Sequence, residues 1–185
     1  MIGDVLPVVP GVVMRPPDPA DAEAIAQAYR RNREHLRPWE PQRDEEFFTT
    51  AAHDARVRDQ LALAEAGQMA PWLLDDGARV LGAVTLSNIM FGPLRSANLG
   101  YWVDAEQTGR GLATAAVAVA CRIADERLGL HRLQAGTLVD NAASQRVLTK
   151  SGFEHIGTAR DYLHIDGHWR DHVLFQKILN DRPAF

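Results

Sequence analysis

The sequence predicts a single α/β domain, a mixed sheet of about seven strands with helices on both faces. Three observations carry this. The chain has 185 residues, 46% hydrophobic and 24% charged, enough for one full core and little more than one domain. Its patterns run strand, two helices, three strands, helix, strand, helix, two strands. One apolar run, Ala97 to Val103, passes directly through a glycine turn into an Ala-rich helix.

Taken in order, Val12 to Arg15 is a short strand, preceded by an apolar, proline-containing extension over residues 1–11. Asp18-Pro19 is an N-cap followed by proline at the first helical position, and Ala22, Ile25, Ala26 and Tyr29 continue at helical spacing to about Arg31. Pro38-Trp39-Glu40-Pro41 breaks the chain. The acidic cluster Asp44-Glu45-Glu46 then leads into a second helix ending near Ala66-Gly67. Pro71 to Leu74 and Val80 to Leu86 are strands joined by the Asp75-Asp76-Gly77 turn. Ala97 to Val103 is the next strand, and its helix runs to about Leu128. Arg132 to Val139 is a fifth strand, Asn141 caps a short helix, and Gly152 ends that helix at C′. Phe153 to Gly157 opens a sixth strand, and Asp166-Gly167 turns the last two strands into a hairpin.

Composition excludes several classes of function. A net charge of -4 provides no basic field for nucleic acid. Cys121 is the sole cysteine and lies within an apolar helix, which leaves no disulfide, no cysteine metal cluster and no nucleophile for a covalent acyl-enzyme. The N-terminus lacks the basic and long apolar regions of a signal peptide, and no apolar run approaches the roughly 20 residues of a membrane span. A cytoplasmic domain with neither membrane nor nucleic-acid partner is expected. His164, His168 and His172 recur every four residues. The Asp166-Gly167 hairpin sets His168 opposite Ile165 and His164 opposite Trp169, so they do not converge on a metal.

The chemistry is concentrated between Leu99 and Ala113. Backbone N–H groups at a helix start, reinforced by the helix dipole, attract anions, and the glycines of Gly109-Arg110-Gly111 allow a phosphate close approach. Downstream lies Asn141-Ala142-Ala143-Ser144-Gln145-Arg146-Val147-Leu148-Thr149-Lys150-Ser151-Gly152-Phe153. Together the two segments resemble the Gcn5-related N-acetyltransferase (GNAT) superfamily. Asn32 to Pro41 and Arg160 to Leu174 are similar to the RimJ branch of the RimJ/RimL family, whose members acetylate N-terminal amines of ribosomal proteins. The resemblance covers roughly Val13 to Leu179. It implies a mostly antiparallel GNAT-like sheet, a domain over residues 12–179 and a tail over 180–185.

The resemblance implies that Thr108, Gly109, Arg110, Gly111, Leu112 and Ala113 hold the coenzyme A pyrophosphate, with Thr108 where the superfamily has Gln or Arg. Trp102 and Val103 would run beside the pantetheine arm, pairing with its amides as an added strand does. Asn141 would hydrogen-bond the pantetheine, and Ser144 would lie near the thioester sulfur. Many members carry a tyrosine at the position of Leu148, so Ser144 is the candidate to serve the leaving thiolate. Arg146 and Lys150 are candidates to meet the cofactor phosphates.

An α-amine with a pKa near 8 must lose a proton before attack. Glu40, fixed between Pro38 and Pro41 beside Trp39, is the first candidate base, with Asp44, Glu45 and Glu46 as alternatives. Trp39, Glu40, Tyr162 and His172 are candidates to line the acceptor groove. The expected reaction is direct attack of the amine on acetyl-CoA in a ternary complex, with the developing oxyanion held by a backbone N–H at the end of the Ala97–Val103 strand. A protein N-terminus, favouring a ribosomal protein, is the expected acceptor. Three alternatives stay open: a small-molecule amine, a different acyl group such as succinyl, and a non-catalytic acyl-CoA sensor. Monomer and homodimer are equally compatible with the sequence.

Overall fold

A computed structural model describes residues 3–183. Met1 and Ile2 of the expected extension, and Ala184 and Phe185 of the expected tail, lie outside the described residues. The sheet has eight strands: β1 (Leu6–Val9), β2 (Val12–Arg15), β3 (Ala70–Asp75), β4 (Val80–Met90), β5 (Ser96–Val103), β6 (Arg132–Leu138), β7 (Glu154–Ile165) and β8 (His168–Ile178). They lie in the order β1-β2-β3-β4-β5-β6-β8-β7. All neighbours are antiparallel except β5 and β6. The strand beyond the expected seven is β1. A turn through Gly11, at φ 79°, folds Leu6–Val9 back onto β2, so part of the expected extension is a sheet edge.

The helices are α1 (Ala22–Arg31), α2 (Arg33–Leu36), α3 (Thr50–Glu65), α4 (Leu112–Arg122) and α5 (Ala142–Lys150). Asp18 and Asp21 form a reciprocal capping box before α1, each side chain accepting from a backbone N–H of the pair's turn. The acidic cluster opens only a short 3-10 turn, Glu46–Phe48; α3 begins afterwards because the Thr49 hydroxyl accepts the Ala52 N–H. α4 continues as a wider π-type turn over Ile123–Arg127. Gly152, at φ 81°, ends α5.

Strand alternation divides the core between the two faces. Trp72 and Leu74 of β3 pack with Ala116, Val117 and Ala120 of α4 and with Leu148 of α5. The intervening Leu73 packs with Ile25, Ala28 and Val57 of α1 and α3. Cys121 lies within the first of these clusters.

Two features position the site. β5 and β6 pair only at Ser96–Arg132, Ala97–Leu133 and Asn98–Gln134, then part. β5 keeps its ladder to β4 as far as Val103, so its outward backbone groups beyond Asn98 have no strand partner on the β6 side. Gly82 lets β4 approach there: a Cβ at that position would stand 2.3 Å from the Trp102 carbonyl oxygen. The second feature is the β7–β8 hairpin. Its pairs Ile165–His168 and His164–Trp169 are those the Asp-Gly turn predicts. At its tip the Asp166 N–H donates to the Glu40 carbonyl at 3.1 Å, tying the segment after α2 across the sheet.

Candidate active site

Where β5 and β6 part, a cleft of about 580 Å³ opens. One wall is Leu99 to Val103 of β5, the facing wall Ala135 to Leu138 of β6, and α4 and α5 contribute to the lining. Gly109 and Gly111 both adopt positive φ, 73° and 82°, and α4 starts at once. Its first internal bond runs from the Ala115 N–H to the Gly111 oxygen, leaving the N–H groups of Leu112, Ala113 and Thr114 outside the helix ladder. All three residues line the cleft. Arg146 and Lys150 of α5 line it as well and bring positive charge to this end. These residues fit a pyrophosphate on backbone donors and helix dipole. One further observation fits a ligand between the strands: Thr137 Oγ1, in the cleft wall, is buried without a hydrogen-bond partner.

The predicted cofactor residues divide on inspection. Thr108, Gly109, Gly111, Leu112 and Ala113 line the cleft, as does Gln107. Thr108 Oγ1 is occupied with the Ala105 carbonyl at 2.8 Å, which shapes the turn and leaves phosphate contact to the backbone. Arg110 is exposed and is not part of the lining. Val103 and Trp102 line the cleft, but the Trp102 ring packs on the opposite face, 5.0 Å from the Tyr29 ring. Its contribution to the cleft is therefore backbone. Asn141 caps α5, its Oδ1 accepting the Ser144 N–H at 3.0 Å, so its Nδ2 remains a donor.

Ser144 has a partner that sequence reading did not find. The Tyr101 hydroxyl lies 2.9 Å from Ser144 Oγ and 3.2 Å from the Ser144 carbonyl oxygen. Burial pushes the Tyr101 hydroxyl up to about 12, against the pull of the Ser144 hydrogen bond, so it remains protonated at neutral pH. The available signal was strand alternation: with Trp102 on the α1 face, Tyr101 falls on the α5 face. Leu148 is fully buried and offers no chemistry.

On the acceptor side, His35, Leu36, Trp39 and Glu40 enter the cleft from α2 and the turn after it. Glu40 is the only carboxylate in the lining among the described residues. Burial raises its pKa above the ordinary value, partly offset by Arg43 and Arg56. The alternative carboxylates have local tasks or lie away: Asp44 caps the Phe47 N–H at 3.0 Å, Glu45 bonds Arg33 at 2.6 Å, and Glu46 is exposed at a turn start. His172 is buried and lines the cleft; its Nδ1 donates to the Arg170 carbonyl at 3.0 Å, so Nε2 is left as an acceptor. Tyr162 packs at a tilt against His172, with ring centres 5.4 Å apart, but is 39% exposed and outside the lining, so it touches the cleft only through His172. Among the described residues no three His, Cys, Asp or Glu side chains form a metal-binding group, and no helix is long and apolar enough to cross a membrane.

The turn between β5 and Thr108 is tied to α1 by buried polar contacts. Asp104, 1% exposed, accepts from Arg31 Nε at 2.8 Å, Asn32 Nδ2 at 2.9 Å and the Glu106 N–H at 3.0 Å. Asn32 Oδ1 in turn accepts from the Ala105 N–H at 2.8 Å. Burial pushes the Asp104 carboxyl up, but these donors outweigh it and hold the pKa below the usual range.

Comparison with known proteins agrees with this geometry. Residues 12–154 match the acetyltransferase (GNAT) domain family. The [ribosomal protein uS5]-alanine N-acetyltransferase of Escherichia coli (strain K12) is 36% identical over 156 residues, 83% of this chain and 80% of that protein. The crystal structure of ribosomal-protein-S5-alanine acetyltransferase from Vibrio fischeri superposes with a TM-score of 0.92 at 33% identity, covering 97% of this chain and 100% of that one. Mycobacterium smegmatis RimJ, solved in complex with CoA-disulfide, gives 0.88 at 34% identity over 95% and 86%. With a strand-to-helix anion site, a splayed β5–β6 pair and these relatives, the chain belongs to the GNAT family and is an N-acetyltransferase related to the RimJ ribosomal-protein acetyltransferases.

Proposed function

We propose that the protein transfers the acetyl group of acetyl-CoA to the N-terminal α-amine of a polypeptide, with a ribosomal protein as the favoured acceptor. The observation that carries this reading is Glu40, the single carboxylate in the cleft lining among the described residues, opposite an end that fits a pyrophosphate. An α-amine needs only a modest base, and a carboxyl raised by burial is better matched to it than an exposed one. The similarity to uS5-alanine acetyltransferases supports a protein N-terminus over other amines.

Acetyl-CoA supplies a thioester carbonyl for the amine to attack. The chain's residues do the rest. Leu112 to Thr114, Arg146 and Lys150 hold the phosphates, and the free edge of β5 lays the pantetheine alongside it. Glu40, directly or through a water, takes the proton from the amine, and His172 Nε2 accepts a hydrogen bond from the acceptor. A backbone N–H at the end of β5 holds the charge that develops on the carbonyl oxygen. Ser144 donates to the departing sulfur while Tyr101 donates to Ser144. A thiolate whose thiol has a pKa near 8.5 is a weaker base than the conjugate base of either hydroxyl, so the pair stabilises it by hydrogen bonding without surrendering a proton, and the thiolate takes up the proton shed by the new amide nitrogen.

Ser144→Ala should therefore lower kcat by about ten- to a hundredfold, and Tyr101→Phe by less, with coenzyme A affinity nearly unchanged in both. Steady-state kinetics beside calorimetric titration with coenzyme A checks this; equal kcat in wild type and Ser144→Ala removes the hydroxyl pair from the mechanism. The acceptor is tested by mass spectrometry of N-terminal peptides, polyamines and other small amines after incubation with acetyl-CoA or succinyl-CoA. Acetylated peptide α-amines are expected, and modification of small amines alone rejects the assignment.

A further inference from the structure

Beside the cofactor cleft lies a second chamber, of about 270 Å³, that shares Leu36 and Glu40 with it. The rings of Tyr29, Phe47 and Phe48 line it together with the side chains of Arg33, Arg37 and Arg43. Arg33 is hydrogen-bonded to Glu45 at 2.6 and 3.2 Å, and the exposed Arg37 pairs loosely with Glu34 at 3.6 Å and Asp166 at 3.7 Å. Arg43 is different. Its Nε is buried and has no hydrogen-bond partner, although the side chain forms a loose ion pair with Glu40 Oε2 at 3.9 Å. Its guanidinium lies 4.3 Å from the centre of the Phe47 ring, and the Arg56 guanidinium is 5.0 Å from that same centre.

A buried guanidinium N–H with no acceptor is unusual, because the donor has lost water and gained nothing. A guanidinium fork matches a carboxylate in shape and charge, and the adjoining rings suit a short methylene stem. Glu40 stands in the wall common to both spaces, so an acceptor whose amine meets Glu40 in the cleft can extend past it into the chamber. Glu40 and Asp166 also line the chamber, but with Arg33, Arg37 and Arg43 in the lining and Arg56 across the Phe47 ring the cations outnumber them, which disfavours a cationic side chain.

We propose that this chamber is an acceptor subsite for a carboxylate side chain, an aspartate or glutamate within the first few residues after the reacting amine, and that Arg43 selects it. The inference rests on the reading of the acceptor as a polypeptide N-terminus and names the class of N-terminus taken.

The test uses short peptides with an N-terminal alanine and Asp or Glu at the second, third or fourth position, paired with Asn or Gln and with Lys counterparts. Free glutamate and aspartate form a separate arm. At one position the acidic peptide should exceed its amide counterpart in kcat/KM by about tenfold, chiefly through KM, as a charge-assisted hydrogen bond confers. The lysine peptide should be poorer still, and the preference should shrink as salt is raised. Arg43→Gln should bring the acidic-to-amide ratio to within about threefold, and Arg43→Lys should restore part of it. Coenzyme A binding reports whether each variant is folded, and the wild-type panel decides by itself if a variant is not. Equal acetylation of acidic, amide and lysine peptides overturns the subsite and leaves the proposed function standing. Acetylation of free amino acids with no peptide modified overturns both.

Discussion

Replacing Glu40 with glutamine is expected to lower kcat by about a hundred- to ten-thousandfold near neutral pH, the range over which a positioned base accelerates a reaction. The loss should shrink as pH rises towards the α-amine pKa near 8, because the amine then sheds its proton unaided. Wild type should show an acidic limb governed by the raised Glu40 carboxyl, and the variant should lack it. Stability moves the opposite way. A carboxyl raised in the folded protein binds its proton more tightly there than in the unfolded chain, so ionised Glu40 costs stability above its folded pKa. Glu40→Gln should therefore melt higher than wild type at neutral pH, the gain vanishing as pH falls below the ordinary glutamate value near 4.3. Thermal melts and pH–rate profiles on the two proteins check both halves. Superimposable rate profiles would falsify the base assignment.

Asp104→Ala should cost about 3 kcal/mol, the scale for removing one partner of a buried, charge-assisted network. It leaves one of the two Asn32 Nδ2 hydrogens (the other donates to the Ala28 carbonyl at 2.9 Å), the Glu106 N–H and part of Arg31 without an acceptor. Arg31 also bonds the Val80 carbonyl at 2.9 Å and is partly exposed, which keeps the cost from being larger. For a chain of this length the melting temperature should fall by roughly 6–12 °C. The same change frees the turn that precedes Thr108 from the end of α1, so coenzyme A should bind more weakly, unlike in Ser144→Ala. Because the Asp104 carboxyl is held below its usual range, its contribution is present above the unfolded value near 3.9 and is lost as pH falls through the folded pKa. Urea unfolding at neutral pH measures it; a variant within 0.5 kcal/mol of wild type, the scatter of ordinary surface changes, rejects the clamp.

Much of the fold was legible because its determinants are local. The glycines at φ 73° and 82° before α4, the Asn141 cap, the Gly152 stop and the Asp166-Gly167 hairpin are each decided within a few residues. The start of α3 was misread because an acidic cluster and a threonine cap are both credible helix openings, and the Thr49 hydroxyl prevailed. β1 was missed because a four-residue apolar stretch that contains Pro7 and is followed by Pro10 carries no sign of the edge it will join.

The candidate site divides in the same way. Backbone geometry at the glycine turn and the α5 cap depends on neighbours in the chain, so the sequence by itself determined that turn, the capped helix and the family to which both belong. Tertiary structure alone decided which side chains meet across the cleft. It set Tyr101 against Ser144, Asp104 against Arg31 and Asn32, and the hairpin tip against Glu40; it also turned the Trp102 ring away, moved Tyr162 behind His172 and left Arg110 outside. These contacts join residues far apart in the chain, where hydrophobic periodicity and turn chemistry carry no information about distance. Strand pairing and core packing fix them, and they exist only once the sheet has formed.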